Sequence, residues 1–299
     1  MEQIIRENFG NGVSVVSVSP LSGGDINRAF RLTLSTGKMV FVKANSPDKG
    51  DFFRAETEAL KAIAATKAIK TPAILGYGTD KTGNNPLKIP CSFLLLEYLS
   101  PTEKTSRYWE NFGIALAKMH RASTGLFVAN GIYGFAKDNY IGSSPQKNTP
   151  SQKWVEFFRD SRLKPQFNLA KDYLSFRERD RAEILLDKLE NLLPEPEFPS
   201  LLHGDLWRGN VHTGPDGEAW LIDPASYVGH AEADLAMTML FGSFPSAFYS
   251  AYKETNPLPR DFKDRVPLYN LYHLLNHLNL FGVSYLGEVR DILFKYGGR

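Results

Sequence analysis

Leu202-His203-Gly204-Asp205-Leu206-Trp207-Arg208-Gly209-Asn210, and beyond the turn Gly214-Pro215-Asp216-Gly217 the run Leu221-Ile222-Asp223-Pro224, decide how this chain is read. An apolar pair leads into Asp205. Asn210 stands five residues later, and an isolated Asp223 ends the next apolar run. A carboxylate can orient a hydroxyl and accept its proton, while an amide carbonyl and a second carboxylate are hard oxygen ligands of the kind magnesium prefers. The competing interpretation of His203-Gly204-Asp205 is a tight turn in which the Asp caps a backbone group. The lead-in, the turn and the second Asp together favour the chemical one.

The same spacing occurs in the phosphoryl-transfer loop of protein kinases, where a metal-binding Asp follows one hairpin later. Such a reaction asks little covalent chemistry of the protein. The acceptor must be aligned, its proton received, and phosphate charge neutralised. On this reading Asp205 is the base, and Asn210 and Asp223 hold Mg2+. Lys43 closes the apolar strand Val40-Phe41-Val42-Lys43, where a lysine would grip the phosphates of ATP. Glu56 and Glu58 both lie on the helix that follows. Glu56, set between Phe53 and Leu60 on one flank, is the preferred partner for Lys43. Ser22-Gly23-Gly24-Asp25 would cover the phosphates through backbone amides of Gly23 and Gly24, although the full Gly-x-Gly-x-x-Gly pattern is missing. Backbone groups of Glu97, Tyr98 and Leu99 would read adenine.

Outward from this core, the first hundred residues read as strands around one helix. Phe30, Leu32 and Leu34 alternate with polar residues, Met39 to Lys43 forms a second strand after Thr36-Gly37-Lys38, and helical spacing runs from Phe53 to Ala68. Ser92 to Leu96 is a short apolar strand. After it the pattern is mostly helical, with a polar, loop-like stretch from Asp138 to Pro150. The expected fold is α+β: a bilobal, protein-kinase-like chain with an antiparallel sheet plus helix in the N-lobe and a mostly helical C-lobe. The expected division is 1–98 for the nucleotide-binding lobe and 99–299 for the catalytic and substrate-binding lobe.

Composition agrees with a globular chain that has a sizeable core. The 299 residues are 42% hydrophobic, and 35 basic against 33 acidic residues leave a net charge of +2. No clustered basic surface suggests nucleic acid. The only cysteine, Cys91, reads as a small buried hydrophobe. The charged start, Met1-Glu2-Gln3-Ile4-Ile5-Arg6-Glu7, lacks the apolar core of a secretory signal, and no apolar run is long enough for a bilayer. A cytoplasmic protein with no membrane partner is expected; oligomeric state is not encoded in these patterns.

Several further stretches carry a resemblance. They are Gly23-Gly24-Asp25-Ile26-Asn27-Arg28-Ala29-Phe30, Phe41-Val42-Lys43, Phe53 to Leu60, Asn139-Tyr140-Ile141-Gly142 with Pro145-Gln146 and Asn148, and Trp154 to Phe158 with Arg162-Leu163 and Gln166. To these are added the 202–210 loop and Asp223-Pro224-Ala225-Ser226 with Gly229-His230, Glu232 and Asp234-Leu235-Ala236. Together they resemble the fructosamine (ketosamine) kinase family, within the wider group of aminoglycoside-phosphotransferase-like and choline-kinase-like kinases. The resemblance implies ATP- and Mg2+-dependent phosphorylation of the sugar part of ketosamines, small or protein-bound, with release of the amine and hence protein deglycation. It implies the same roles for Asp205, Asn210, Asp223, Lys43 and Glu56.

Around these, Trp207 is either a face that stacks on the acceptor sugar or a core tryptophan. His230 either lines the acceptor pocket or is structural. His203 and Asp234 are read as supports of the catalytic loop, with an N-cap as the other role open to Asp234. The chain departs from protein kinases at His203-Gly204-Asp205 and Asp223-Pro224-Ala225, and no activation segment ending in Ala-Pro-Glu follows, so a constitutively assembled site is expected. Two rival functions are a kinase of another small amine, of aminoglycoside or choline type, and a non-catalytic nucleotide-binding protein on the same fold.

Overall fold

The computed structural model describes residues 1–22, 26–128 and 131–298. The N-lobe opens with α1 (Glu2–Phe9), followed by β1 (Val15–Leu21), β2 (Arg28–Leu34), β3 (Met39–Asn45), α2 (Gly50–Ala65), β4 (Ile74–Asp80) and β5 (Cys91–Glu97). The five strands form one antiparallel sheet in the order β1-β2-β3-β5-β4. Alternation along β2 points Phe30, Leu32 and Leu34 inward, where they meet Val40, Val42, Phe93 and Leu95. Strand β5 lies inside the sheet between β3 and β4, and apolar clusters cover both of its faces, so its apolar run is continuous. Leu94 and Leu96 take the other face, against Phe53 and Leu60 of α2.

Strand β4 has no clear apolar alternation, and its glycines answer to neighbours. A Cβ on Gly76 would stand 2.8 Å from the Ile4 side chain, and one on Gly78 would stand 3.1 Å from the Phe93 ring. Close packing of α1 and β5, rather than any pattern within β4, therefore sets its composition.

The C-lobe continues with α3 (Tyr108–His120), the short hairpin β6 (Asn139–Ile141) and β7 (Ser144–Gln146), then α4 (Trp154–Phe157). Helix α4 runs through a π-helical stretch, Phe158–Leu163, into α5 (Lys164–Leu169). Next come α6 (Phe176–Leu192), β8 (Ser200–Leu202), β9 (Val211–Thr213), β10 (Ala219–Leu221), β11 (Tyr227–Gly229), α7 (Ala231–Leu240), α8 (Ser246–Thr255), α9 (Phe262–Phe281) and α10 (Leu286–Tyr296). A single large apolar core joins these helices. Gly113 lets α3 close on α8, because a Cβ there would meet the Phe248 carbonyl. Ser175 and Glu178 form a reciprocal capping box at the start of α6.

The polar stretch expected to be a loop from Asp138 to Pro150 contains the β6–β7 hairpin. Its sequence misleads because its polar side chains are buried: Asn139, Gln146 and Asn148 all lie inside, bonded to one another. Several contacts among the described residues dock the lobes. The segment after α2 is stapled to β10, with Leu221 N donating to Lys70 O at 2.9 Å and Lys70 paired with Asp216 at 2.7 Å. Helix α2 rests on the hairpin, with Phe52 and Tyr140 ring centroids 4.1 Å apart.

Phe53 is fully buried between α2 and β5. Phe53→Ala is expected to destabilise the fold by ~3–5 kcal/mol, read as a drop in the urea midpoint at unchanged slope.

Candidate active site

Strand β8 delivers the chain into a sharp turn at Gly204, whose φ of 83° lies in the left-handed region. The turn also packs against the Ala225 carbonyl, leaving no room for a Cβ. Asp234, in the first turn of α7, grips the turn from beneath. Its carboxylate accepts His203 N at 2.7 Å and Gly204 N at 2.9 Å, and lies 3.2 Å from His120 Nε2. Burial alone would raise the Asp234 pKa, but these bonds and the facing imidazoles outweigh it and hold the carboxyl below its usual range. Asp234 supports the loop and is not the cap of α7. His203 Nδ1 accepts from Asp205 N at 3.3 Å, so Nε2 carries the proton donated to Ile222 O at 2.9 Å. Burial pushes this imidazole's pKa down, which fixes the neutral form.

Asn210 Nδ2 donates to the Asp205 carbonyl at 2.8 Å and to Asp205 Oδ2 at 3.1 Å. Both bonds use the amide nitrogen, which leaves Oδ1 available as an oxygen ligand. Asp205 itself is pushed up to about 7, first by burial and then by the charges of Asp223 and Asp234, against the bond from Asn210. Asp223 follows β10, next to Asn210 through the bond from Ile222 N to Asn210 O at 3.1 Å. Its φ of 54° is uncommon for a residue with a side chain.

Lys43 joins the two lobes here. Its ammonium donates to Glu56 Oε1 at 2.6 Å and also to Asp223 Oδ1. Burial would lower the lysine pKa, but the two carboxylates outweigh it and keep the group charged. Glu58 instead meets Arg54 at 2.9 Å and Lys137 at 3.4 Å near the surface.

The remaining expected residues divide. Trp207 is 38% exposed, so it is not a core residue. Its indole lies across Gly209, where any Cβ would enter the ring, and its edge faces Phe241 at 6.4 Å. That contact gives the Trp-x-Gly spacing a physical reason. His230 caps α7, with Nδ1 accepting from Glu232 N at 3.1 Å, and packs against Trp154 and Tyr269. Its pKa is driven down to about 3, first by burial and then by Arg265. Among the described residues no hydrogen bond or ring contact joins His230 to Asp205 or Trp207. The Glu97 side chain accepts from Ala73 N at 3.1 Å, so it braces the entry to β4. Strand β5 ends at Glu97, and the chain leaves the sheet through Tyr98 and Leu99. A cavity of about 280 Å³ lined by Pro101, Thr102, Val211, His212 and Thr213 opens beside this exit. Gly23 and Gly24 lie outside the described residues.

Sequence reasoning gave no role to Gly204, Gly209 or the buried amides of the β6–β7 hairpin. The first two are marked only by being glycines beside functional residues. The amides were marked only by the resemblance.

A sequence model of the fructosamine kinase family matches residues 1–296. A Synechocystis protein named as a probable ketoamine kinase is 36% identical over 298 residues, covering 97% of this chain and 94% of its own. A chloroplastic protein-ribulosamine 3-kinase of Oryza sativa subsp. indica is 35% identical over 293 residues, covering 96% of this chain and 80% of its own. A solved structure of a provisionally assigned fructosamine-3-kinase from Haemophilus somnus superposes with a TM-score of 0.84 at 28% identity, over 98% of this chain and 95% of that one.

The Asp205 environment predicts a pH-dependent trade. Its folded pKa of about 7 exceeds the ~3.9 of an unfolded chain. Keeping the carboxylate ionised therefore costs stability increasingly from pH ~4 upward, and in full above pH 7. In metal-free protein, Asp205→Asn should raise stability by about 2 kcal/mol at pH 8. The gain should shrink toward zero as pH is lowered to ~4.5, followed by thermal melts with a chelator present.

Proposed function

This chain belongs to the fructosamine kinase family, and from that premise we propose that it transfers the γ-phosphoryl group of ATP to a sugar hydroxyl of ketosamines, with Asp205 as the base. The observation that carries the site assignment is the convergence of both lobes on one point: Asn210 bonds the Asp205 carboxylate, while Lys43 ties Glu56 to Asp223 beside it. Asp205 orients the acceptor hydroxyl and takes its proton as the oxygen bonds to phosphorus and ADP leaves. Lys43, held by Glu56, binds the phosphates. Backbone groups of Glu97, Tyr98 and Leu99 receive adenine, and Gly23 and Gly24 contribute backbone amides.

Asn210 Oδ1 and the Asp223 carboxylate fit Mg2+, a hard cation usually held by one or two protein carboxylates plus the phosphates. Among the described residues no group of three or more His, Cys, Asp or Glu could hold a metal alone, which suits an ion brought in with the nucleotide. When bound, the ion neutralises charge on the transferred phosphate. Trp207, exposed two residues after Asp205, offers its face to the sugar, whereas capping and packing account for His230. Ketosamines carried on small amines or on protein lysines are the substrates of this reading, and deglycation is its outcome.

A division of the lobes between residues 98 and 99 belongs to this reading and is supported by β5 ending at Glu97. No described helix is long and apolar enough to cross a membrane. A cytoplasmic address belongs to the proposal and is supported by the single, buried, unpaired Cys91.

Asp205→Ala should lower kcat on a fructosamine or ribulosamine by at least ~10³-fold while MgATP binding stays within about threefold. A variant that keeps near wild-type turnover overturns the base assignment. Asp223→Ala should weaken Mg2+-dependent nucleotide binding at least ~10-fold. Parallel assays with choline and aminoglycosides should give negligible transfer. Preferred turnover of those acceptors would move the substrate class.

A further inference from the structure

The β6–β7 hairpin carries none of the reacting groups, yet its buried amides bond the backbone that follows Asp223. Gln146, 1% exposed, uses its whole amide. Nε2 donates to Ala225 O at 2.9 Å and to Asn139 Oδ1 at 2.8 Å, and Oε1 accepts from Tyr272 OH of α9 at 2.6 Å. Asn139 Nδ2 donates to the next carbonyl, Ser226 O, at 2.8 Å. The catalytic loop holds the same residue: Ala225 N donates to His203 O at 2.9 Å, and the Ala225 carbonyl lies against Gly204. The Ala225 residue is thus held through its N–H by the loop that bears Asp205 and through its carbonyl by Gln146.

The hairpin is itself anchored. Asn148 Nδ2 bonds Asn139 Oδ1 at 2.8 Å, and Arg162 in the π-helical stretch bonds Asn148 Oδ1 at 2.7 Å. The Arg162 guanidinium stacks 3.9 Å above the Tyr227 ring. π-Helical turns are rare and recur near functional sites.

We propose that Gln146, with Asn139 and Tyr272, is a positioning unit for magnesium–nucleotide binding, an inference that rests on the metal-ligand reading of Asp223. Asp223 sits at φ 54°, a conformation that a residue with a side chain keeps only when its surroundings hold it. Two residues later the chain meets the Gln146 clamp. The first backbone pairing on that side, between Gly134 and Val228, comes further along. In protein kinases the segment after the metal-binding Asp is released and ordered by phosphorylation. Here buried side-chain amides do the holding, and the metal ligand and the base loop share one rigid support.

Gln146→Met, which keeps the volume and removes the hydrogen bonds, tests this. The expected result is a folded protein whose Mg2+ concentration for half-maximal binding of a fluorescent ATP analogue rises about 10-fold, whose kcat falls about 10-fold, and whose ketosamine KM stays within about twofold. A lowered Tm with Mg2+ half-saturation and kcat both within about twofold of wild type makes the cluster fold glue and overturns the proposal. Should Gln146→Met fail to fold, Tyr272→Phe removes one bond and should shift Mg2+ half-saturation about threefold in the same direction; no shift overturns the proposal. The nucleotide readout needs no acceptor, so a wild-type protein inert toward ketosamines would sink the substrate reading and leave this test intact.

Discussion

Lys43 crosses from the sheet of the N-lobe to Asp223 of the C-lobe, and the rest of the site is arranged around that buried ion pair. A lysine so enclosed stays charged only because two carboxylates face it. Glu56 must therefore be held by α2, α2 must be docked on the β6–β7 hairpin, and the lobes must be stapled through Lys70 and β10. Each of these contacts serves the same end: a cation and three carboxylates, Glu56, Asp223 and Asp205, kept close together in a partly dry cleft. Such an arrangement is unfavourable in isolation and suited to a polyphosphate that arrives with its own cations.

Rigidity around the cleft comes from buried polar groups. Asp234 satisfies two amides of the catalytic loop, His203 satisfies a carbonyl of the metal-side turn, and Gln146 satisfies a carbonyl of the segment beyond it. Each bond ends on backbone, so each fixes the path of the chain and not merely a side chain. Buried polar networks specify one arrangement when fully satisfied and are costly when broken. This agrees with the lack of a recognisable activation segment: the loop that protein kinases switch is here tied down.

Much of this was legible in the sequence because it lies in short, local patterns. Alternation along β2 and β3, helical spacing around Phe53 and Leu60, and the five-residue step from Asp205 to Asn210 are all set by neighbours in the chain. What escaped depends on distant partners. Strand β4 is shaped by Ile4 and Phe93, not by its own pattern. The β6–β7 hairpin reads as a polar loop because its amides are spent on residues about eighty positions away. Gly209 reveals its purpose only when the Trp207 indole is seen lying on it. His230 was open in the sequence to a pocket role or a structural one, and the cap that its ring gives α7 is visible only in the fold.

Both lobes converge to pass phosphate to a sugar hydroxyl and not to water. The most direct measurement is transfer from γ-labelled ATP in the presence of Mg2+ and a fructosamine or ribulosamine, with the label followed by mass spectrometry in both acceptor and free phosphate. Label is expected on the sugar, in step with ADP formed. Label found only in inorganic phosphate, or no ADP formed while MgATP is bound, would contradict it.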